Sequence, residues 1–289
     1  MKIKLITDSA SDLPLEFVKN NDIDFVSLGV NIDGNFILDD LGENFKMDEF
    51  YSLIRQGKMP STSQANVFAF EEIFEKYVKE GYKIIYIGLS SALSGTFNSS
   101  VIARDSVLEK YNDADISVID SKSVSLGEGL LVYKACELIN KGLDKDEIVN
   151  FIENIKEKVI HSIVVDDLAH LKRGGRISGA TATVGSILNI KPTLTLDNEG
   201  KVVVKSKIKG KKKAIKYLAS EIKDNAIDLE NQTIFICHAD CLTEAEELKN
   251  IILEESTVKD VIINSIGVVI GAHGGPGTLA AVFIGKERI

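Results

Sequence analysis

The chain reads as two units in series: an α/β domain with a mostly parallel sheet over 1–155, then an α+β domain with an antiparallel sheet and helices over 156–289. Three observations predict this. Apolar, β-branched runs alternate with helix-spaced stretches through the first half, the pattern of a parallel sheet covered on both faces. In the second half two extended runs flank Asp197-Asn198-Glu199-Gly200, a hairpin signal. A length of 289 residues suits about two domains.

The elements follow in order. Residues 2–7 read as a strand. Ser11-Asp12-Leu13-Pro14 reads as a helix start, with Asp or Ser as cap and Pro just inside. Residues 25–32 are apolar and β-branched, hence a strand. Helical spacing marks 48–56 and 69–79. A short strand is expected at 83–89, a long helix at 94–110, a strand at 115–120 and a helix at 126–141. Beyond these, 147–158 looks helical and 161–165 extended, and 188–196 and 201–208 form the hairpin arms. Helices are expected at 211–223 and 243–254, and strands at 233–237, 264–270 and 279–284. The boundary near 155 rests on this change of pattern.

Composition narrows the function. The net charge of −9 argues against nonspecific nucleic-acid binding. No apolar run reaches the ~20 residues of a spanning helix. The first residues enter a strand without a signal-peptide pattern, and three cysteines make no disulfide framework, so a cytoplasmic protein is expected. There is no Gly-x-x-x-x-Gly-Lys-Ser/Thr loop and no Gly-x-Ser-x-Gly elbow. Gly127-Glu128-Gly129 lacks the third glycine of a dinucleotide fingerprint. Cys237-His238-Ala239-Asp240-Cys241 lacks a second cysteine pair, so no metal is expected.

Several short segments suit an anionic ligand. Ser90-Ser91-Ala92-Leu93-Ser94-Gly95-Thr96 follows an apolar strand and precedes a long helix, where hydroxyls, free N–H groups and the helix dipole favour an anion. Thr7-Asp8-Ser9 ends another strand, so Asp8 and Ser9 either face the same crevice or cap a helix. Pro60-Ser61-Thr62-Ser63-Gln64 is a polar loop. Gly271-Ala272-His273-Gly274-Gly275-Pro276-Gly277 lets backbone approach a ligand closely, with His273 placed to reach it. Leu171-Lys172-Arg173-Gly174-Gly175-Arg176 carries two arginines fit for a carboxylate or phosphate, or for an interdomain ion pair. The basic run 205–213, with Lys205, Lys207, Lys209, Lys211, Lys212 and Lys213, is a solvated face or a docking site for an acidic partner or anionic membrane surface.

Together these segments resemble the DegV family of fatty-acid-binding proteins that serve bacterial fatty acid kinases. The markers stand in family order: Thr7-Asp8-Ser9, Pro60-Ser61-Thr62-Ser63-Gln64, Leu93-Ser94-Gly95-Thr96, Leu171-Lys172-Arg173-Gly174-Gly175-Arg176-Ile177-Ser178, Lys191-Pro192 and the 271–277 glycine segment. The resemblance implies one long-chain fatty acid, such as palmitate, held between the two domains. It implies that Thr62 and Ser94 bind the carboxylate, with His273 nearby and Arg173 or Arg176 in support. Ser63, Gly95, Thr96, Asp8 and Ser9 complete the expected head-group region. It also implies a carrier without cofactor that presents its lipid to an ATP-dependent kinase subunit, in fatty acid uptake and lipid metabolism. Ala65 stands where a proline often follows, and Gly274 where a hydroxyl residue is common. Two other readings compete: an autonomous phosphotransferase or hydrolase using His273 and a serine, and a regulatory protein docking through 205–213.

Overall fold

A computed structural model describes residues 2–177 and 189–288. The first half runs β1 (Ile3–Asp8), α1 (Leu15–Asn20), β2 (Asp24–Val26), β3 (Gly29–Ile32), β4 (Asn35–Leu38), α2 (Met47–Arg55), β5 (Ser61–Ser63), α3 (Val67–Lys79), β6 (Lys83–Gly88), α4 (Thr96–Lys110), β7 (Ile116–Asp120), α5 (Leu126–Asn140) and α6 (Lys145–Ile155). The second half runs β8 (Val159–Val164), α7 (Ala169–Arg173), β9 (Ile190–Leu196), β10 (Val202–Lys209), α8 (Lys211–Asn225), β11 (Thr233–His238), α9 (Leu242–Glu255), β12 (Asp260–Ser265), α10 (Val268–Gly274) and β13 (Leu279–Ile284).

The expected fold class is what the chain adopts. A four-stranded sheet, ordered β2-β1-β6-β7, is parallel throughout. A six-stranded sheet, ordered β10-β9-β8-β13-β11-β12, is antiparallel except for its β11–β12 pair. A small antiparallel sheet, β4-β3-β5, is inserted in sequence between β2 and β6 of the parallel sheet. One apolar core joins the halves: Ile85 and Leu130 belong to the same buried cluster as Phe235, Val269 and Val282.

Four sequence expectations give way. The single strand at 25–32 is two strands, β2 and β3, in different sheets. Ser11-Asp12 caps no helix: Ser9–Ser11 is a 3-10 turn, Asp12 is left-handed, and α1 starts after Pro14 without a side-chain cap. The Pro60–Gln64 loop contains a strand, because Ser61–Ser63 pairs with β3. The strand expected at 264–270 stops at Ser265, and the chain turns into the helix α10. A short buried apolar run does not distinguish strand from helix by periodicity. The serine/threonine segment and the histidine are thus fixed on regular elements. No helix among the described residues is long and apolar enough to cross a membrane.

Candidate functional site

A cavity of about 220 Å³ lies between the six-stranded sheet and the first half of the chain. Strand alternation builds one wall. Side chains two apart share a face, so His161, Ile163 and Val165 line the cavity from β8 and its end, with Ala280 and Val282 from β13 beside them. The register sets Ala280 against Ile163 and Val282 against His161. From residue 161 to 165 this wall is about 13 Å long by strand rise. Leu194 and Val202 line it too, and Leu28, Leu89, Leu93, Ile266, Val269 and Ile270 add the rest of its apolar lining.

The two ends differ. His161, Cys237 and Val282 are buried, at 2%, 2% and 1% exposure. At the other end Thr62, Ser94, Arg176 and His273 are half-buried, and Ser63 and Gln64 are exposed. The cavity is therefore blind and mostly apolar at one end, open and polar at the other.

The mouth is assembled from four segments. Strand β5 presents Thr62, and α10 packs against β5 and brings His273 to it. Thr62 Oγ1 and His273 Nε2 lie 2.8 Å apart. Burial, and then the nearby Arg176 charge, push the His273 pKa down to about 4, so its ring is neutral at pH 7. Its Nδ1 is buried with no hydrogen-bond partner among the described residues. Ser94 sits just ahead of α4. Its Oγ accepts the Thr96 N–H at 3.2 Å and shares a 2.9 Å bond with Thr96 Oγ1. That places the hydroxyl at the positive end of a fifteen-residue helix. Gly95 lets Gln64 approach: a Cβ at that position would lie 2.2 Å from Gln64 Oε1. Arg176 lines the cavity and donates through Nε to the Leu93 carbonyl at 3.0 Å and through Nη1 to the Gly174 carbonyl at 2.5 Å.

The structure brings Thr62, Ser63, Ser94, Gly95, Arg176 and His273 to this cavity and leaves the other expected residues outside its lining. Arg173 is exposed and bonds His170 Nδ1 at 2.9 Å, so of the two arginines Arg176 is the one at the mouth. Thr96 is fully buried behind Ser94 and contacts the Ala65 N–H at 3.3 Å. Asp8 and Ser9 are also fully buried. Asp8 accepts from Tyr86 Oη at 2.6 Å, Leu89 N at 3.0 Å and Ala10 N at 3.0 Å, while Ser9 Oγ accepts from Leu28 N at 3.0 Å. Leu28 and Leu89 are cavity walls, so these two residues set the walls and do not face a head group.

Sequence reasoning missed Asp12 and Ser125. Asp12 Oδ1 accepts the Gly267 N–H at 2.9 Å, its carbonyl accepts from Asn264 Nδ2 at 2.7 Å, and its Oδ2 takes the Ser125 hydroxyl. It thereby ties the start of α10 to the first half. Ser125 has φ +54°, uncommon without glycine, and lines the blind end. A carboxylate that bonds residues more than a hundred positions away leaves no periodic trace.

Among the described residues His273 pairs with Thr62 and with no serine. An imidazole that titrates near 4 is a weak base at neutral pH. Among the described residues no three His, Cys, Asp or Glu side chains gather as metal ligands, and Cys136, Cys237 and Cys241 are buried free thiols. In the basic run, Lys205 pairs with Glu221 at 2.7 Å and Lys211 pairs with Glu244. Lys207, Lys209, Lys212 and Lys213 are exposed.

Fold and site together define a protein of mixed α and β structure built on a parallel and a mostly antiparallel sheet around an apolar pocket with a hydroxyl- and imidazole-lined mouth. Residues 2–286 match the model of the family described as "Uncharacterised protein, DegV family COG1307", and the chain belongs to that family. A DegV domain-containing protein of Clostridium perfringens is 48% identical over 287 residues, 99% of each chain. Among solved structures, a DegV lipid binding protein from Thermotoga maritima superposes with a TM-score of 0.88 at 31% identity, covering 100% of both chains. A DegV family protein from Thermus thermophilus, described for its fatty acid binding, gives 0.89 at 30% identity, covering 99% of this chain and 100% of that one.

Proposed function

We propose that this protein binds one long-chain fatty acid, with its tail in the apolar cavity and its carboxylate at the mouth on Thr62 and Ser94, beside His273 and Arg176. The observation that carries this is the polarity gradient of one cavity, hydroxyl-lined where it opens and apolar where it is blind. The fatty-acid-binding description of the Thermus relative supports it. Burying a methylene contributes roughly 0.8 kcal/mol, so about fourteen contribute on the order of 11 kcal/mol before ordering costs. A neutral hydrogen bond contributes about 1 kcal/mol. The tail supplies affinity and the mouth supplies orientation.

In this reading the protein is a carrier in lipid uptake and metabolism. A carboxylate held at an open mouth is accessible to an ATP-dependent kinase subunit, which would phosphorylate it to an acyl phosphate. The chemistry then belongs to that partner, and the carrier needs no cofactor. Exposed Lys207, Lys209, Lys212 and Lys213 suit transient contact with an anionic membrane surface from which the lipid is drawn. The deciding experiment is mass spectrometry of an organic extract from protein purified out of a bacterial host. A stoichiometric fatty acid is expected. Finding none, together with no uptake of added palmitate, would refute the reading.

A further inference from the structure

Two short turns beside the mouth are interlocked through their glycines. A Cβ on Gly174 would lie 2.1 Å from His273 Nδ1, and a Cβ on Gly275 would lie 2.4 Å from His170 Cδ2. Each imidazole occupies the space that the other turn leaves by lacking a side chain. The two glycines are not equivalent. Gly275 has φ +76°, so its backbone alone calls for glycine. Gly174 has φ −73°, a conformation open to any residue, so at that position it is space that calls for glycine, chiefly the room for the His273 ring at 2.1 Å, with the His170 carbonyl at 3.3 Å a lesser contact.

The turn that holds Gly174 also reaches the other side of the mouth. Arg176 donates to the carbonyl of Leu93, the neighbour of Ser94, and to the carbonyl of Gly174 itself. His273, seated over Gly174, holds Thr62 Oγ1. Residues 174–176 therefore touch both the Thr62–His273 pair and the Ser94 segment.

We infer that Gly174 is a positioning residue for the carboxylate site: the space it leaves sets the His273 ring, which aims the Thr62 hydroxyl. This rests on the reading that Thr62 and Ser94 hold an acyl carboxylate. A methyl group at 174 cannot coexist with the ring at 2.1 Å, so the imidazole must shift and its bond to Thr62 is lost. Gly174 itself touches no ligand; it acts through His273.

The test compares Gly174→Ala, His273→Ala and the double variant in the full chain, stripped of lipid. Each is titrated with palmitate and with hexadecanol, which has the same length of tail and no charge. Gly174→Ala is expected to weaken palmitate on the order of tenfold and hexadecanol by less than about twofold. In the His273→Ala background it is expected to cost nothing further, because the two positions act as one. Equal losses for both ligands, an unchanged palmitate affinity, or the same loss in both backgrounds would overturn the inference. Should Gly174→Ala fail to fold, the double variant decides. Recovery of folding when the ring is removed supports the inference, and failure of both variants to fold overturns it. A wild-type protein that binds neither ligand would instead refute the fatty-acid reading beneath it.

Discussion

The mouth and the blind end of the cavity are built by opposite means. At the mouth, Thr62, Ser94, Arg176 and His273 come from four separate segments and are held by hydrogen bonds to one another or to neighbouring backbone. At the blind end, Ala280, Val282 and Ile163 come from adjacent strands and are held by sheet register and packing. A polar site needs aim, which hydrogen bonds supply. An apolar site needs shape, which close packing supplies. The contrast predicts that damage to the tail wall removes affinity, while damage to the mouth removes a smaller, head-specific part.

The largest effect is expected from filling the wall. Ala280→Phe places a ring where the tail would run, and palmitate affinity by calorimetry should fall more than about a hundredfold through lost methylene burial. Overpacking should also lower stability by about 1–3 kcal/mol. Binding retained within tenfold would show that the tail lies elsewhere. Next come Thr62→Ala and Ser94→Ala. Each removes a bond to a charged group, so each should cost on the order of tenfold in palmitate affinity with little change in melting temperature. Acyl phosphate formation with a kinase partner should drop further, because the carboxylate is no longer aimed. Unaltered activity in both variants would move the head group to another site.

A third prediction concerns pH. Burial pushes the Asp39 carboxyl up to about 7, with the Asp40 and Asp8 charges adding to the effect. The folded state thus keeps a proton that the unfolded chain releases near its ordinary value of 3.8. This group's contribution to stability falls as pH rises from about 4 to about 7 and is level above. Buried Asp8, pushed up to about 6, acts in the same direction. Half-buried His273 and buried His161, pushed down to about 4 and about 3, act the opposite way and lose stability as pH drops below 6.5. Asp39→Asn should therefore help more at pH 8 than at pH 5 in urea unfolding. An equal difference at both pH values would show that Asp39 does not carry the trend. The smallest effect is expected from Arg173→Ala, which removes an exposed side chain outside the cavity. Palmitate affinity should change by less than about twofold; a tenfold loss would restore Arg173 to the site.

Much of the fold is legible in the sequence because most strands and helices are long enough to show a period. The strand at 279–284 is found with its limits unchanged, and the 190–209 hairpin is marked by Asp197-Asn198-Glu199-Gly200. Residues 61–63 are not legible as a strand, since Ser-Thr-Ser has no apolar alternation and pairs with β3 through backbone alone. Helix α10 is seven residues of mostly apolar side chain and is hidden for the same lack of period. In the site, hydroxyl density and glycine clustering mark Thr62, Ser94 and His273. They do not distinguish Arg173 from Arg176, because three positions of chain decide which faces the cavity. They also misassign Asp8 and Ser9, whose strand-end position is right for a crevice but whose side chains turn back to brace Leu89 and Leu28.

The most direct measurement is a titration of lipid-free protein with saturated fatty acids of rising length. If an oily blind pocket supplies the affinity, each added methylene should tighten binding by up to roughly fourfold until the tail meets the buried end at His161 and Val282. An affinity independent of chain length would contradict the account, because the acid would then be held by its head alone.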